Sequence, residues 1–509
     1  MMQNDLTPKN LQWLLKELHQ LSADFPKEQA FDAAFNQDIE NLSLDSRKIK
    51  QGDVFVALSG FNVHGMDYAY QAERAGAIAI LTEPPKAGRA KYVGRQKPLQ
   101  VPVIECADLS EILGDLSCAF YDHPSQSLKI TAITGTNGKT STAWLMMHAL
   151  EQLGVKTGYI GTLGVGDTEQ LKSSQNTTPS AIAIQKNLAS MLQSGYKHVC
   201  IEVSSHALDQ NRFNGTDVDT AIFTNLSRDH LDYHQTLAAY EAAKLKLFTT
   251  FSPRLSIINA DDATAESWLQ TKVITGQALT YGIDNPAADF IAKEVHLLPA
   301  GIAFELIAKE QRISYETALL GRFNVHNTLA VLAALSQDFK LEATRNVVKT
   351  LQPVPGRMNR IDDPRNGSIM VVDYAHTPDA LKQVLMALRM HTDGQLWCVF
   401  GCGGNRDKGK RPMMGAIAEQ LADKVILTDD NPRFESSAQI IADIESGMQN
   451  KPHVINDREQ AIAYVLDQAN KGDIILLAGK GHESTQEING HLLPFNDMNK
   501  IKILMQEAT

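Results

Sequence analysis

Apolar positions fall in short continuous runs separated by polar, periodic stretches. The runs GDVFVAL (52–58), AIAILTE (77–83) and KITAIT (129–134) predict strands buried on both faces. Helical spacing follows near 67–75, near 109–121, and in STAWLMMHALEQLG after the strand at 129–134. The opening segment MMQNDLTPKNLQWLLKELHQL reads as an amphipathic helix, with Thr7 as N-cap and Pro8 at the first helical position. It lacks a cationic start followed by an apolar block, so a cytoplasmic protein is expected. The breaker-rich, basic segment 83–98 predicts an exposed loop, and Pro353, Pro355 and Gly356 interrupt a helical pattern at a second boundary. Strands alternating with helices predict an α/β chain with mostly parallel sheets.

The strand at 129–134 runs into Gly135-Thr136-Asn137-Gly138-Lys139-Thr140-Ser141 and then a helix, the context a phosphate-binding loop requires. Glycines let the backbone approach phosphates, and amides at the helix start supply positive potential. Lys139 can reach the β- and γ-phosphates, and the Thr140 hydroxyl can ligate Mg2+. The loop is G-x-x-G-K-T, with Ile133 where the longer GxxxxGK[ST] pattern has its first glycine.

VCIEVSSHALDQNR (199–212) and FTNLSRDHLDYH (223–234) are apolar strands running into polar loops. Glu202 and His230 offer the oxygen and imidazole ligands that a divalent metal beside a triphosphate takes from separate strands. Taken alone, each reads first as a structural polar residue. The helix at 237–248 carries Lys244 and Lys246, and its pattern singles out neither.

The last third holds four strands with polar ends: Asp373-Tyr374 and His376; the Gly-rich basic loop with Arg406, Lys408 and Arg411; Asp430-Asn431-Pro432-Arg433; and Gly479-Lys480-Gly481-His482-Glu483. Ligands of an open parallel sheet bind beyond the carboxyl ends of its strands, so these clusters should face one cleft. The cleft suits a small zwitterion with more than one carboxylate. Arg406 and Arg433 are candidate bidentate carboxylate clamps, and Asp430 and Glu483 candidate ammonium partners.

Composition narrows the function class. The 509 residues correspond to about three domains at roughly 150 residues each. Lys and Arg number 48 against 59 Asp and Glu, a formal net charge of -11, which lacks the basic footprint of a nucleic-acid or anionic-membrane binder. No apolar stretch is long enough to span a bilayer. Five scattered cysteines make no disulfide framework and read as reduced structural thiols.

The chain resembles the Mur ligase family. GTNGKT, IEVSSHAL, FTNLSRDHLDYH, GRFNVHNTLA, PGRM, DYAHTPDAL, GCGGNRDKGKRP, DDNPR and AGKGHE stand in the order that family uses and span nearly the whole chain. GTNGKT alone would also admit a folylpolyglutamate synthetase. DNPR with GGNRDKGKRP is more specific and is most similar to the members that add meso-2,6-diaminopimelate to UDP-N-acetylmuramoyl-L-alanyl-D-glutamate.

The resemblance implies three domains: 1–107, an α/β uridine-nucleotide domain; 108–354, a central ATPase with a parallel sheet; and 355–509, a Rossmann-like amino-acid domain. It implies ATP as substrate, Mg2+ and an acyl-phosphate mechanism in peptidoglycan precursor synthesis; the acidic balance leaves no nucleic-acid partner expected, and the oligomeric state is left open with a monomer favoured. Leu44 and Ser46 would contact the uridine diphosphate. Asn176, Thr177, Thr178, Ser204, Gln210 and Arg212 would hold the muramoyl-dipeptide. Arg406, Asp430, Asn431, Pro432, Arg433, Gly479 and Glu483 would hold diaminopimelate. Lys244 matches a lysine that the family carbamylates, and with Thr140, Glu202 and His230 it would place metal. Asn327, Arg357, Asp373 and His376 match positions tied to the nucleotide or the domain junction. The chain departs from its relatives at Phe61-Asn62-Val63-His64-Gly65, at Asn405 and at Asn359. Alternatives are a ligase of the same fold with L-lysine or glutamate as acceptor, and an ATP-driven switch that ligates nothing.

Overall fold

The structure, a computed structural model, describes residues 7–26, 37–90, 98–174, 176–308 and 310–507. The chain divides into two compact units between Leu279 and Thr280.

The first unit opens with the helix Leu11–Leu21, which buries Leu11, Leu14, Leu15 and Leu18. Its N-cap is Asn10, whose side chain accepts from the Trp13 amide at 2.9 Å, not Thr7. The Thr7 amide is drawn to Asp122 instead (2.9 Å), and that long-range bond keeps residues 7–9 out of the helix. Four parallel strands follow in chain order: Asn41–Ser43, Asp53–Ala57, Ala79–Thr82 and Val103–Glu105. The expected loop at 83–98 begins with a buried Glu83, which accepts the amides of Ser59 and Ser110; its stretch 91–97 lies outside the described residues.

The central sheet of this unit places Lys129–Thr134 between Thr220–Phe223 and His198–Glu202, all parallel. Leu255–Asn259 and Thr157–Gly161 extend it on either side. The middle strand is flanked by strands on both edges and covered on both faces, which is why KITAIT is apolar throughout. Its core gathers Ile130, Ala132, Ile160, Val199, Ile201 and Phe223.

The second unit contains an antiparallel meander, Phe290–Leu298, Gly301–Ala308 and Gln311–Thr317, which the expectation of mostly parallel sheets did not include. Its strands bury alternate residues, the signature of a sheet with one wet face. The helix Phe323–Leu335 follows. A six-stranded sheet then runs in the order Asn359–Asp362, Ile369–Asp373, Ile474–Ala478, Leu396–Phe400, Lys424–Leu427, His453–Val454, with only the first strand antiparallel. The four strands with polar ends are therefore immediate neighbours. All five cysteines are buried and free. Among the described residues no helix is long and apolar enough to cross a membrane.

Candidate active site

In the first unit Gly135 (φ +149) and Gly138 (φ +85) shape the loop, and Gly138 caps the helix Lys139–Gln152. A Cβ at Gly135 would sit 1.9 Å from Thr224 Oγ1, so only glycine fits against the neighbouring strand end. Thr224 Oγ1 donates to the Asn137 carbonyl (2.6 Å), and the Thr136 and Asn137 amides donate to Asn225. Ser141 lies in the first turn of the helix. Gly135→Ala should lower the thermal midpoint and abolish the further rise that nucleotide gives the wild type, measurable by thermal shift with and without ATP.

The Thr140 hydroxyl donates to Glu202 Oε2 at 2.7 Å. Glu202 is fully buried, and Tyr159, the Thr162 amide (2.9 Å) and the Thr162 hydroxyl (3.2 Å) also donate to its carboxylate. Four protein donors therefore satisfy the buried carboxyl group. Tyr159 and Thr162 had no signal in the sequence; both act on Glu202 from the adjacent strand end.

Lys139 donates to the carbonyls of Gly135 and Thr136, each at 2.8 Å. Lys244 donates to the same Gly135 carbonyl at 2.7 Å and lies 4.5 Å from the Tyr240 ring centre. Lys244 is 1% exposed, whereas the side chain of Lys246 is 41% exposed, so the structure separates two lysines that the sequence pattern could not. Burial, then repulsion from Lys139, pushes Lys244 well below the usual lysine range. Burial lowers Lys139 as well.

His230 adopts φ +52 and stands half-exposed, its ring packed against His206 (4.9 Å) and near Tyr240 (6.1 Å). Among the described residues no three His, Cys, Asp or Glu side chains gather into a ready metal site. The oxygen pair Thr140 and Glu202 suits a hard cation that completes its shell with phosphate oxygens.

Thr178 Oγ1 donates to the Glu202 carbonyl (2.8 Å) and accepts from the Ser204 amide (2.9 Å). Arg212 reaches the Thr178 carbonyl and the Gln210 side chain, and Gln210 reaches the Tyr233 hydroxyl. Thr177 meets Thr162 at 3.0 Å, and Asn176 is exposed. Thr177, Thr178, Ser204, Gln210 and Arg212 thus form one patch adjoining the phosphate loop through Thr162 and Glu202, with Asn176 exposed beside Thr177 in the chain. Leu44 lines a cavity of about 880 Å3 with Asp45, Arg47, Lys48, Ser180 and Lys186. Ser46 does not line it; its hydroxyl turns to Gln71 at 3.2 Å. In the loop that departs from the relatives, His64 is buried and accepts from the Met66 amide, while the Arg89 guanidinium stacks on exposed Phe61.

In the second unit a cavity of about 380 Å3 is lined by Asn431, Arg433, His482, Glu483, Ser484, Thr485, Glu487 and Leu492. Arg433 (φ +54) donates through Nη1 to the Gly404 carbonyl (3.0 Å) and through Nε to Glu487 (2.9 Å). Asn431 donates to Glu483 and accepts from the Glu487 amide. Asp430 and Glu483, the candidate ammonium partners, already share a lysine of the protein. Lys480, fully buried, lies 3.0 Å from Glu483 and 3.9 Å from Asp430 and donates to the Thr485 carbonyl. Burial pushes the Asp430 carboxyl up. Arg411 is likewise committed inside the fold, paired with Glu435 and Asp443, while Arg406 is exposed. Asn405 (φ +54) accepts from the Phe434 amide and ties the basic loop to the loop of Pro432, whose carbonyl accepts from Glu435. Gly479 pairs its amide with the Asp373 carbonyl.

Asp373 spends its carboxylate on the amides of Met358 and Ala375, and burial raises it. Arg357 and His376 are exposed, and Asn327 is buried and donates to Asn324. Asn359 accepts from the Gly356 amide. Glu487 was missed as a member of this cavity, and the burial of Lys480 beside it was not foreseen. A lysine between two glycines reads as exposed, and Glu487 lies on a short terminal strand that carries no motif.

Three family models match in chain order: the Mur ligase family catalytic domain at residues 38–121, the Mur ligase middle domain at 133–335 and the Mur ligase glutamate ligase domain at 356–481. The chain belongs to the Mur ligase family. The UDP-N-acetylmuramoyl-L-alanyl-D-glutamate–2,6-diaminopimelate ligase of Coxiella burnetii is 42% identical over 91% of this chain and 95% of its own. The ligase of the same name from Pseudomonas aeruginosa is 43% identical over 91% and 94%. A solved structure of a ligase of that name, 36% identical, covers 99% of both chains with a TM-score of 0.75. MurF from Acinetobacter baumannii, at 19% identity and a TM-score of 0.61, shares the three-domain Mur ligase fold.

Proposed function

We propose that this Mur ligase joins meso-2,6-diaminopimelate to the D-glutamyl γ-carboxylate of UDP-N-acetylmuramoyl-L-alanyl-D-glutamate at the expense of ATP, in peptidoglycan precursor synthesis. The observation that carries this is the cavity holding Arg433 at the end of a parallel sheet, in a chain that also has a formed phosphate loop. Relatives sharing over 40% of its residues are named for this reaction. We assign the three tasks to 1–107, 108–354 and 355–509.

The γ-carboxylate oxygen attacks the γ-phosphorus of ATP, and ADP leaves. The neutral diaminopimelate amine then attacks the acyl carbon and gives a proton to solvent, and the acyl C–O bond breaks as phosphate leaves with the oxygen and the bonding pair. Lys139 would swing from its loop carbonyls to the phosphoryl oxygens and offset their charge. The patch of Thr178, Ser204, Gln210 and Arg212 would orient the dipeptide carboxylate toward the phosphate loop. Mg2+, where bound, polarises the transferred phosphoryl group. Thr140 and Glu202 would hold it, with His230 and Lys244 as a carbamate. The neutral amine is the form that attacks CO2, and the depressed proton affinity of Lys244 favours that form. Carbamylation would also replace one of two cations crowding the Gly135 carbonyl with an anion.

Phosphate release from ATP should require both UDP-N-acetylmuramoyl-dipeptide and meso-diaminopimelate. Equal release without either substrate would mean a switch, and release with L-lysine in place of diaminopimelate would mean another acceptor.

A further inference from the structure

The buried carboxylate of Glu202 is held unequally at its two oxygens. Oε1 accepts from the Tyr159 hydroxyl and from the Thr162 amide (2.9 Å). Oε2 accepts from the hydroxyls of Thr140 (2.7 Å) and Thr162 (3.2 Å). The donors to Oε2 are hydroxyls of short side chains, whose O–H bonds rotate and can turn aside for a ligand. Those to Oε1 cannot. One is a backbone amide. The other stands on a fully buried ring, packed edge-on against Trp144 at 6.3 Å. Parallel pairing sets Tyr159 opposite Cys200, so its ring shares a face of the sheet with Glu202, two residues further along. The Leu163 amide donates to the same hydroxyl oxygen (3.3 Å), which leaves the phenol proton for Oε1. A Cβ at Gly161 would overlap both Oε1 and the Tyr159 oxygen, so glycine there is what lets them meet.

This asymmetry bears on which cation the phosphate loop accepts. Mg2+ keeps a strict octahedral shell, whereas Ca2+ takes more oxygens and can use both of a carboxylate. A glutamate free to swivel would serve either ion. A single amide bond would let the carboxylate pivot about it, and the phenol supplies the second fixed point. With Oε1 pinned, Glu202 offers the loop one oxygen. That suits the smaller ion and denies the larger one its second contact. We propose that Tyr159 is a positioning residue that fixes Glu202 as a one-oxygen ligand and thereby sets the preference of the site for Mg2+ over Ca2+. This rests on the reading of residues 135–141 as the site of ATP and its metal.

The test uses the full-length enzyme with ADP and follows free Mn2+ by electron paramagnetic resonance while Mg2+ or Ca2+ displaces the bound ion. The quantity read is the Ca2+ concentration for half-displacement divided by that of Mg2+. Tyr159→Phe keeps the ring and removes the donor, and this ratio should fall about tenfold in it. ADP affinity measured in EDTA should stay near wild type. The ratio reports only on enzyme that binds metal, so partial misfolding does not blunt the result. Tyr159→Met fills the space with no donor and is a second variant with the same expectation. An unchanged ratio overturns the proposal, because equal weakening of both ions would make Tyr159 a support for the strand end alone. A loss of ADP affinity in EDTA as large as the loss of metal affinity overturns it too. Wild-type enzyme that holds Mn2+ no more tightly than ADP does without protein would instead overturn the reading of the loop, before any variant is compared.

Discussion

Lys244→Ala is expected to lose activity by a factor on the order of 10^3, the scale of removing one preorganised electrostatic group from a transition state. The side chain is buried beside Lys139, and both donate to the Gly135 carbonyl. Two ammonium groups on one acceptor are mutually repulsive, which is one of the two causes that hold Lys244 below the ordinary lysine range, after burial itself. A carbamate there would turn repulsion of Lys139 into attraction and supply an anionic oxygen to a metal. Alanine removes that oxygen and leaves a gap that a small carboxylate can fill. Added acetate or bicarbonate should therefore restore part of the phosphate release of Lys244→Ala and none of that of Lys139→Ala. Full activity in Lys244→Ala without additives would eliminate a carbamate role.

Arg433→Ala should raise KM for diaminopimelate far more than it lowers kcat. Truncating one member of a hydrogen-bonded charge pair costs about 2–5 kcal/mol, between roughly 30-fold and several thousand-fold in affinity. The guanidinium is already held at Nε by Glu487 and at Nη1 by the Gly404 carbonyl, so its remaining edge is fixed before a ligand arrives. Preorganisation of this kind makes lysine a poor substitute, since an ammonium cannot bridge the same two anchors in one plane. Arg433→Lys should thus recover little. Wild-type kcat/KM for diaminopimelate in the alanine variant would remove Arg433 from the acceptor site. The KM for ATP should stay near its wild-type value in both variants.

Much of the architecture could be read from the chain because it rests on long-lived local signals. KITAIT and the four apolar runs of the last third are continuous because their strands are buried on both faces, and their polar ends mark where each strand leaves the sheet. What escaped was decided by tertiary contact. Thr7 and Asn10 both suit an N-cap, and Asp122 settles the matter from 115 residues away. The meander at 290–317 announces itself by alternation, a weaker signal than a continuous apolar run. In the helix Leu237–Thr249, Lys244 and Lys246 are alike by composition, and only packing sends one inward. Asp430 and Glu483 were legible as paired carboxylates, but the lysine that lies against them was not, because a buried ammonium leaves no periodic trace.

The position of Glu202 has a thermodynamic corollary. Its carboxylate accepts from Thr140 on the phosphate loop, while its carbonyl accepts from Thr178 in the patch assigned to the dipeptide. If the proposed sites hold, one residue would be a party to two binding equilibria. Whatever factor nucleotide imposes on affinity for the muramoyl substrate, that substrate must impose on affinity for nucleotide, because the coupling free energy belongs to the ternary complex and not to either ligand. A ligand that draws the Thr140 hydroxyl away alters the donors around Glu202 before the second ligand arrives, so order of addition would change the path but never the total.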